Sequence, residues 1–108
     1  MRGSLGEFEQ LLLLALLGLG TEAYGVTLRD DIERRTGRGP SPGAIYTALD
    51  RLERRGFVRS RLGDPTPERG GKRKRYYALL PAGEQAVRAS QERLRRMSHG
   101  LSPKADLP

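Results

Sequence analysis

The chain has 108 residues, no cysteine and one histidine, and its formal net charge is +7, from 20 Lys and Arg against 13 Asp and Glu. This length suits one small domain, and without cysteine neither a disulfide nor a thiolate metal site can form. Because His99 lies far from any acidic cluster, most histidine-dependent catalytic and metal sites are also excluded. The sequence therefore predicts neither an enzyme nor a bound cofactor.

The positive charge is concentrated in one segment of the chain. Residues 51–75 contain ten basic and three acidic side chains, whereas the basic and acidic residues elsewhere balance. A basic stripe on a neutral body is typical of a protein that binds a polyanion. A basic surface that serves only solubility is the alternative.

The first predicted helix spans residues 5–17 and is apolar on nearly every side. A domain this small can bury only one side of such a helix, so we expect a second chain to cover the rest. The residues predicted to face that second chain are Leu11, Leu13, Leu14 and Leu17. The apolar run is too short to span a bilayer and lacks the features of an export signal, which favours a cytoplasmic protein with no membrane partner.

Two further helices follow, joined by a turn-rich connector at residues 36–40. The second runs from about residue 24 to residue 35, with Leu28 and Ile32 inward and Asp30 and Asp31 on a solvated face. The third begins with Ser41 as N-cap and Pro42 at the first helical position, and Gly56 ends it. Its apolar stripe is Ile45, Leu49 and Leu52, and its outward face carries Gly43, Ala44, Thr47, Asp50, Arg51 and Arg54.

A β-hairpin and a last helix complete the prediction. The strands are residues 57–62 and 73–79, around a turn-forming tip at 63–71. Strand alternation would place Arg73 and Arg75 on one side and Lys72 and Lys74 on the other, so at most half of this charge could face one partner, and one of the two adjacent tyrosines should be in the core. The last helix starts at Pro81, with a weak apolar stripe of Ala82, Ala86, Ala89, Leu94 and Met97.

The predicted fold class is mainly α with a small β-hairpin, in the order helix-helix-helix-strand-strand-helix. Two helices joined by a short glycine-containing turn and followed by a hairpin form a winged helix-turn-helix. We predict a winged-helix DNA-binding domain at residues 1–80, whose first helix also takes part in dimer contact, a dimerisation helix at 81–99 and a disordered tail at 100–108.

Three stretches of the sequence resemble the PadR family of bacterial transcription regulators. They are YGVTLRDDIERRTG from Tyr24, SPGAIYTALDRLERRGFV from Ser41 and GGKRKRYYALLPAG from Gly70. The likeness covers about residues 5–95, and its motifs are specific jointly rather than singly. With one helix after the hairpin, the chain is similar to the short branch of the family.

The resemblance implies a homodimeric DNA-binding regulator, usually a repressor, that dimerises by packing its C-terminal helix against the first helix. Val87, Leu94 and Met97 are then expected at the dimer interface. The residues expected to contact double-stranded DNA, with an inverted-repeat operator as partner, are Tyr24, Gly25, Ser41, Gly43, Ala44, Tyr46, Thr47, Arg51, Arg69, Lys72, Arg73, Lys74 and Arg75.

Several of these residues also have plain structural interpretations. Tyr46 matches the family's phosphate-contacting tyrosine but could be a core residue, Ser41 could serve only as a helix cap, and Tyr24 could serve only in packing. Arg51 could be held in a surface ion pair. The chain has no tryptophan, so the tryptophan-lined drug site of some relatives is missing and an effector is left unknown. A non-specific or architectural nucleic-acid-binding protein and a protein-interaction module are the alternative functions.

Overall fold

The computed structural model describes residues 4–64 and 73–103. Its elements are helix α1 (Glu7–Leu19), a 3-10 turn (Gly20–Glu22), helices α2 (Gly25–Thr36) and α3 (Pro42–Arg54), strands β1 (Val58–Leu62) and β2 (Arg75–Leu79), and helix α4 (Pro81–Ser98). This order confirms the predicted fold class. Residues 100–103 form neither helix nor strand, and residues 104–108 of the predicted tail and most of the hairpin tip lie outside the described residues.

The helix ends follow the local chemistry of the sequence. The Ser41 hydroxyl accepts a hydrogen bond from the backbone N–H of Ala44 at 3.1 Å, with Pro42 at the first helical position of α3. Helix α1 begins two residues later than predicted and continues to Leu19, so Gly18 is helical. Gly20 ends it with a φ of 59°, in the left-handed region that glycine adopts without strain.

The hairpin is extended by a short piece of chain that precedes α2. Strands β1 and β2 are antiparallel, with Val58 opposite Leu79 and Ser60 opposite Tyr77. The carbonyl of Ala23 accepts a hydrogen bond from the Tyr77 N–H at 2.8 Å, and Tyr24 forms a bridge with Tyr76. The hairpin is therefore attached by backbone hydrogen bonding to the start of α2.

Helix α1 lies at the centre of the core and packs against α2, α3 and α4. Leu12, Leu13 and Leu16 are at most 2% exposed, and Val87 of α4 is fully buried. These positions correct the prediction that Leu13 and Val87 face a partner, because in a single chain they have no exposed surface to offer. Of the other leucines, Leu11 and Leu14 are half-buried and Leu17 is exposed.

Helix α4 buries a different stripe from the predicted one. Gly83, Val87 and Ser90 face the core, whereas Ala82, Ala89, Leu94 and Met97 are exposed. The first turn of α4 lies in close contact with the backbone at the start of the hairpin. A Cβ at Gly83 would lie 2.3 Å from the Phe57 carbonyl oxygen, so only glycine allows this contact.

The adjacent acidic residues of α2 have different surroundings. Asp30 is solvated as predicted, but Asp31 is 6% exposed, which corrects the prediction of a solvated pair. Asp31 accepts hydrogen bonds from the guanidinium groups of Arg34 and Arg35 on the next turn. Two arginines thus supply the counter-charge and the hydrogen bonds that a buried carboxylate needs.

Among the residues that the structure describes, no helix is both long enough and apolar enough to cross a membrane.

Candidate nucleic-acid interface

Helices α2 and α3 are held in a fixed helix-turn-helix arrangement. The Arg29 Nε on α2 donates a hydrogen bond to the Pro40 carbonyl at 3.0 Å, directly before the N-cap of α3. On the side of α3 that faces away from the core, Gly43, Ala44 and Thr47 are exposed. The first turn of α3 therefore offers small and hydrogen-bonding side chains to a partner, as a recognition helix does in the major groove.

Tyr46 lies against the first residue of α2. A Cβ built on Gly25 would be 2.2 Å from the Tyr46 hydroxyl oxygen and 2.7 Å from Cζ, so the ring occupies the space that a side chain at position 25 would need. The tyrosine is 47% exposed, which argues against the core interpretation. Its hydroxyl thus lies at a helix N-terminus, where free N–H groups and the helix dipole favour a phosphate.

Tyr24 has the packing role that sequence reasoning had left open. Its ring meets that of Tyr76 edge to face, with centroids 5.4 Å apart. The Lys74 ammonium lies 4.8 Å from the Tyr24 ring centroid, and the Arg61 guanidinium lies 4.8 Å from that of Tyr76. The Lys74 contact joins the start of α2 to the residue that precedes β2, whereas the Arg61 contact joins β1 to β2 within the hairpin.

A groove of about 650 Å³ separates α3 from the hairpin. Its basic border consists of Arg73, Lys74 and Arg75, all three of which are exposed. The strand-alternation argument is therefore corrected for this part of the chain, because β2 begins only at Arg75. Arg69 and Lys72, predicted to extend the basic surface, lie outside the described residues. The remaining lining residues of the groove are Tyr24, Val26, Tyr46, Thr47, Asp50, Leu62 and Tyr77.

The basic residues of α3 and β1 are not equivalent. Arg54 forms an ion pair with Asp50 at 3.3 Å, whereas Arg51 is exposed and has no ion pair within the described part of the chain. Arg59 and Arg61 alternate with Ser60 along β1, so they lie on the hairpin face opposite the groove. Only part of the predicted basic segment therefore faces the same side as the outward surface of α3.

Tyr77 is the core tyrosine of the adjacent pair, at 6% exposed. Burial raises its pKa above the ordinary tyrosine value, an effect that the neighbouring Arg75 guanidinium partly opposes. The prediction that one of the two tyrosines is in the core is confirmed.

Sequence reasoning missed Glu53 and Ser60, which connect α3 to the hairpin. The Ser60 N–H donates to the Glu53 carboxylate at 3.0 Å, as does the Ser60 hydroxyl. Neither residue stands out in the sequence, because Glu53 looks like one more charge beside the apolar stripe. The only sequence signal for Glu53 was its position directly after Leu52 of the apolar stripe, which places it at the edge of the buried face of α3.

These features together define a winged helix-turn-helix protein. The model of the family described as "Transcriptional regulator PadR-like family" matches residues 13–89. The chain therefore belongs to the PadR-like family of transcriptional regulators, as the resemblance of its motifs had indicated, and family and fold support a DNA-binding regulator.

One curated relative is an uncharacterized 37.1 kDa protein in transposon TN4556 of Streptomyces fradiae. It is 34% identical to this chain over 89 residues, which cover 82% of this chain and 24% of the relative. The chain thus spans about a quarter of the length of the curated relative that it matches.

Solved structures with the same fold include a transcriptional regulator from Clostridium thermocellum, at 25% identity and a TM-score of 0.68, covering 82% of this chain and 83% of that one. A PadR family transcription regulator from Clostridium difficile has 22% identity and a TM-score of 0.69, with 85% and 91% covered. A winged-helix DNA-binding protein from STIV reaches a TM-score of 0.71 at 17% identity, over 93% of this chain and 100% of that one. The last two show the fold alone.

Proposed function

We propose that the chain is a homodimeric, sequence-specific DNA-binding regulator that represses transcription in the cytoplasm. The observation that carries this proposal is the position of Tyr46, whose hydroxyl lies at the N-terminus of α2 and borders the same groove as Arg73, Lys74 and Arg75. Groups suited to bind phosphate and the outward face of α3 thus lie on one side of the molecule.

The proposed DNA contacts fall into two classes. From α3, the residues that approach bases in the major groove are Ser41, Gly43, Ala44, Thr47 and Arg51. The phosphate backbone is approached by Tyr24 and Gly25 at the start of α2 and by Tyr46 of α3, whose ring lies beside Gly25. Affinity for the DNA phosphate backbone is added by Arg73, Lys74 and Arg75 of the groove border and by Arg69 and Lys72, which lie outside the described residues. A repressor role is the simplest outcome, because a dimer bound at a promoter excludes other proteins from it.

The proposed dimer surface is the apolar part of α1 and α4 that one chain leaves uncovered. Leu94 is 62% exposed, Met97 is 76% exposed and Leu17 is 38% exposed, and Leu11 and Leu14 of α1 are half-buried. Two recognition helices related by a two-fold axis would read half-sites of an inverted repeat about 34 Å apart.

Electrophoretic mobility shift on the gene's own promoter tests the DNA-binding proposal. If six to eight phosphates are neutralised, the logarithm of affinity should fall with the logarithm of salt concentration at a slope of about −5 to −7. Equal binding to unrelated duplex DNA would favour a non-specific or architectural protein instead. No retarded band at low salt would refute the proposal.

Arg75→Ala and Arg59→Ala form a matched pair of variants, because each removes one arginine from the hairpin. Arg75 borders the groove, and Arg59 lies on the opposite face. We expect the promoter affinity to fall only for Arg75→Ala. Equal losses would mean that net charge, rather than this surface, determines binding.

Leu94→Asp and Met97→Asp test the dimer by sedimentation velocity. Each should give monomers that bind the promoter more weakly, because a carboxylate would be placed in an apolar interface. Gln85→Asp is the control, since residue 85 is exposed on the opposite side of α4 from Leu94. An unchanged mass for both Leu94→Asp and Met97→Asp would refute the proposed interface.

A further inference from the structure

Three side chains form a continuous chain of hydrogen bonds between the recognition helix and the hairpin. Glu53 on α3 accepts from the backbone N–H of Ser60 at 3.0 Å and from the Ser60 hydroxyl at 3.0 Å. The Ser60 hydroxyl oxygen in turn accepts from Nη1 of Arg75 at 3.2 Å. We call this set of Glu53, Ser60 and Arg75 the helix–hairpin link.

The link is built into the geometry of the two strands. Ser60 lies on the same face of the hairpin as Arg75, since Ser60 pairs with Tyr77 and Arg75 pairs with Leu62. Glu53 and Ser60 are half-buried, whereas the Arg75 side chain is exposed along the groove. The inner end of the link is thus held in the protein, and the outer end is a guanidinium with further N–H donors to offer.

Glu53 could alternatively serve only to reduce the positive charge of this surface. Its contacts argue against that role, because the described hydrogen bonds to the carboxylate all come from Ser60 and no described cation forms an ion pair with it. The Glu53 carboxylate holds β1 and orients the Ser60 hydroxyl. It therefore also influences the position of the Arg75 guanidinium, which donates to that hydroxyl and borders the groove.

We propose that Glu53 and Ser60 are positioning residues that hold the Arg75 guanidinium in its DNA-contacting orientation. The proposal rests on the proposed DNA-binding function. It assigns a role in DNA recognition to two residues that do not themselves touch DNA. An arginine whose conformation is fixed before binding loses less side-chain freedom on binding, so the link should increase affinity.

A double-mutant cycle on the gene's own promoter tests the link. Ser60→Ala should weaken binding about threefold to tenfold, the range for one hydrogen bond. In an Arg75→Ala background, the same Ser60→Ala change should have no further effect, because the group that it positions is gone. If Ser60→Ala causes the same loss in both backgrounds, or no loss in the wild type, the proposal is wrong.

Two further variants separate positioning from stability and from charge. Ser60→Thr keeps the hydroxyl on a residue type that favours strands, so it should restore most of the affinity that Ser60→Ala loses. Glu53→Ala should weaken promoter binding, whereas a role limited to charge reduction predicts tighter binding. All variants are compared below their melting temperatures, with circular dichroism used to confirm that each is folded.

A measurement without DNA keeps this proposal distinct from the proposed function. In ¹⁵N relaxation spectra of the free protein, the Arg75 side-chain Nε–H should be ordered, and Ser60→Ala should release it. If the wild type retards no DNA while Arg75 is ordered in this way, the proposed function fails but the link stands. An Arg75 side chain that is equally mobile in the wild type and in Ser60→Ala refutes the link itself.

Discussion

The contact between Gly25 and Tyr46 gives the sharpest prediction for a single substitution. In Gly25→Ala the new methyl group would lie 2.2 Å from the Tyr46 hydroxyl oxygen and 2.7 Å from Cζ, so the ring must move. Tyr46 is 47% exposed and can swing outward, which limits the cost. The displaced hydroxyl would no longer lie at the N-terminus of α2, and promoter affinity should fall together with stability.

The size of the effect follows from two opposing contributions. Overpacking costs about 1–3 kcal/mol, and the greater helix preference of alanine returns up to about 1 kcal/mol. Near the middle of these two ranges, the free energy of unfolding should fall by about 1–2 kcal/mol. In a domain of this size, each kcal/mol lowers the melting temperature by about 4–8 °C. Thermal unfolding followed by circular dichroism measures this directly.

Gly43→Ala is the matched control, because Gly43 also lies in the first turn of a helix but a Cβ there would meet nothing within 4 Å. It should leave stability unchanged or raise it slightly. In a Tyr46→Ala background, Gly25→Ala should likewise cost nothing. A Gly25→Ala protein as stable as the wild type, or an equal loss with and without the Tyr46 side chain, would refute the packing argument.

Three further predictions concern other parts of the fold. Asp31→Asn should lower the free energy of unfolding by about 1–2 kcal/mol in urea denaturation, because it weakens the bonds of a buried carboxylate to two exposed arginines. Asp30→Asn should change the free energy of unfolding by less than about 0.5 kcal/mol. Burial raises the pKa of Tyr77. The contribution of Tyr77 to stability should therefore be fully present below the ordinary tyrosine pKa of about 10 and be lost as pH rises through the folded pKa. A Tyr77→Phe protein that loses as much stability between pH 9 and 11 as the wild type would contradict this. Ser41→Ala should lower the free energy of unfolding by about 1 kcal/mol through loss of the α3 cap. Ser41→Asp should keep the cap but weaken promoter binding, because its carboxylate repels phosphate. Unchanged promoter binding by Ser41→Asp would limit the role of Ser41 to capping.

Local signals in the sequence predicted most of the fold. The start of α3 was visible because Ser41 and Pro42 act on their nearest neighbours along the chain, and the two strands were visible because residue type and turn chemistry coincide there. The resemblance to the family then predicts that Tyr46 and Gly25 contact DNA. Their direct contact could not be read from the sequence, since it depends on how closely α2 and α3 pack.

The errors share one physical cause, which is that burial depends on neighbours distant in sequence. Leu13 was assigned to a partner because α1 looked too apolar for one chain to cover, but α2, α3 and α4 surround more of it than one face. The inward stripe of Gly83 and Val87 on α4 was not predicted, because alanines at other spacings form a stripe on the same helix that is apolar as well. Asp31 was placed in solvent since nothing local distinguishes it from Asp30.

The close approach of Gly83 to the Phe57 carbonyl has a consequence for how far apart two DNA sites can be. Helix α4 has 18 residues and is therefore about 27 Å long, so a small tilt at its first turn becomes a shift of several ångströms at Met97. In the proposed dimer, that far end would set the distance between the two recognition helices. A side chain at position 83 would then alter the preferred spacing of the half-sites while leaving the sequence read within each half-site unchanged.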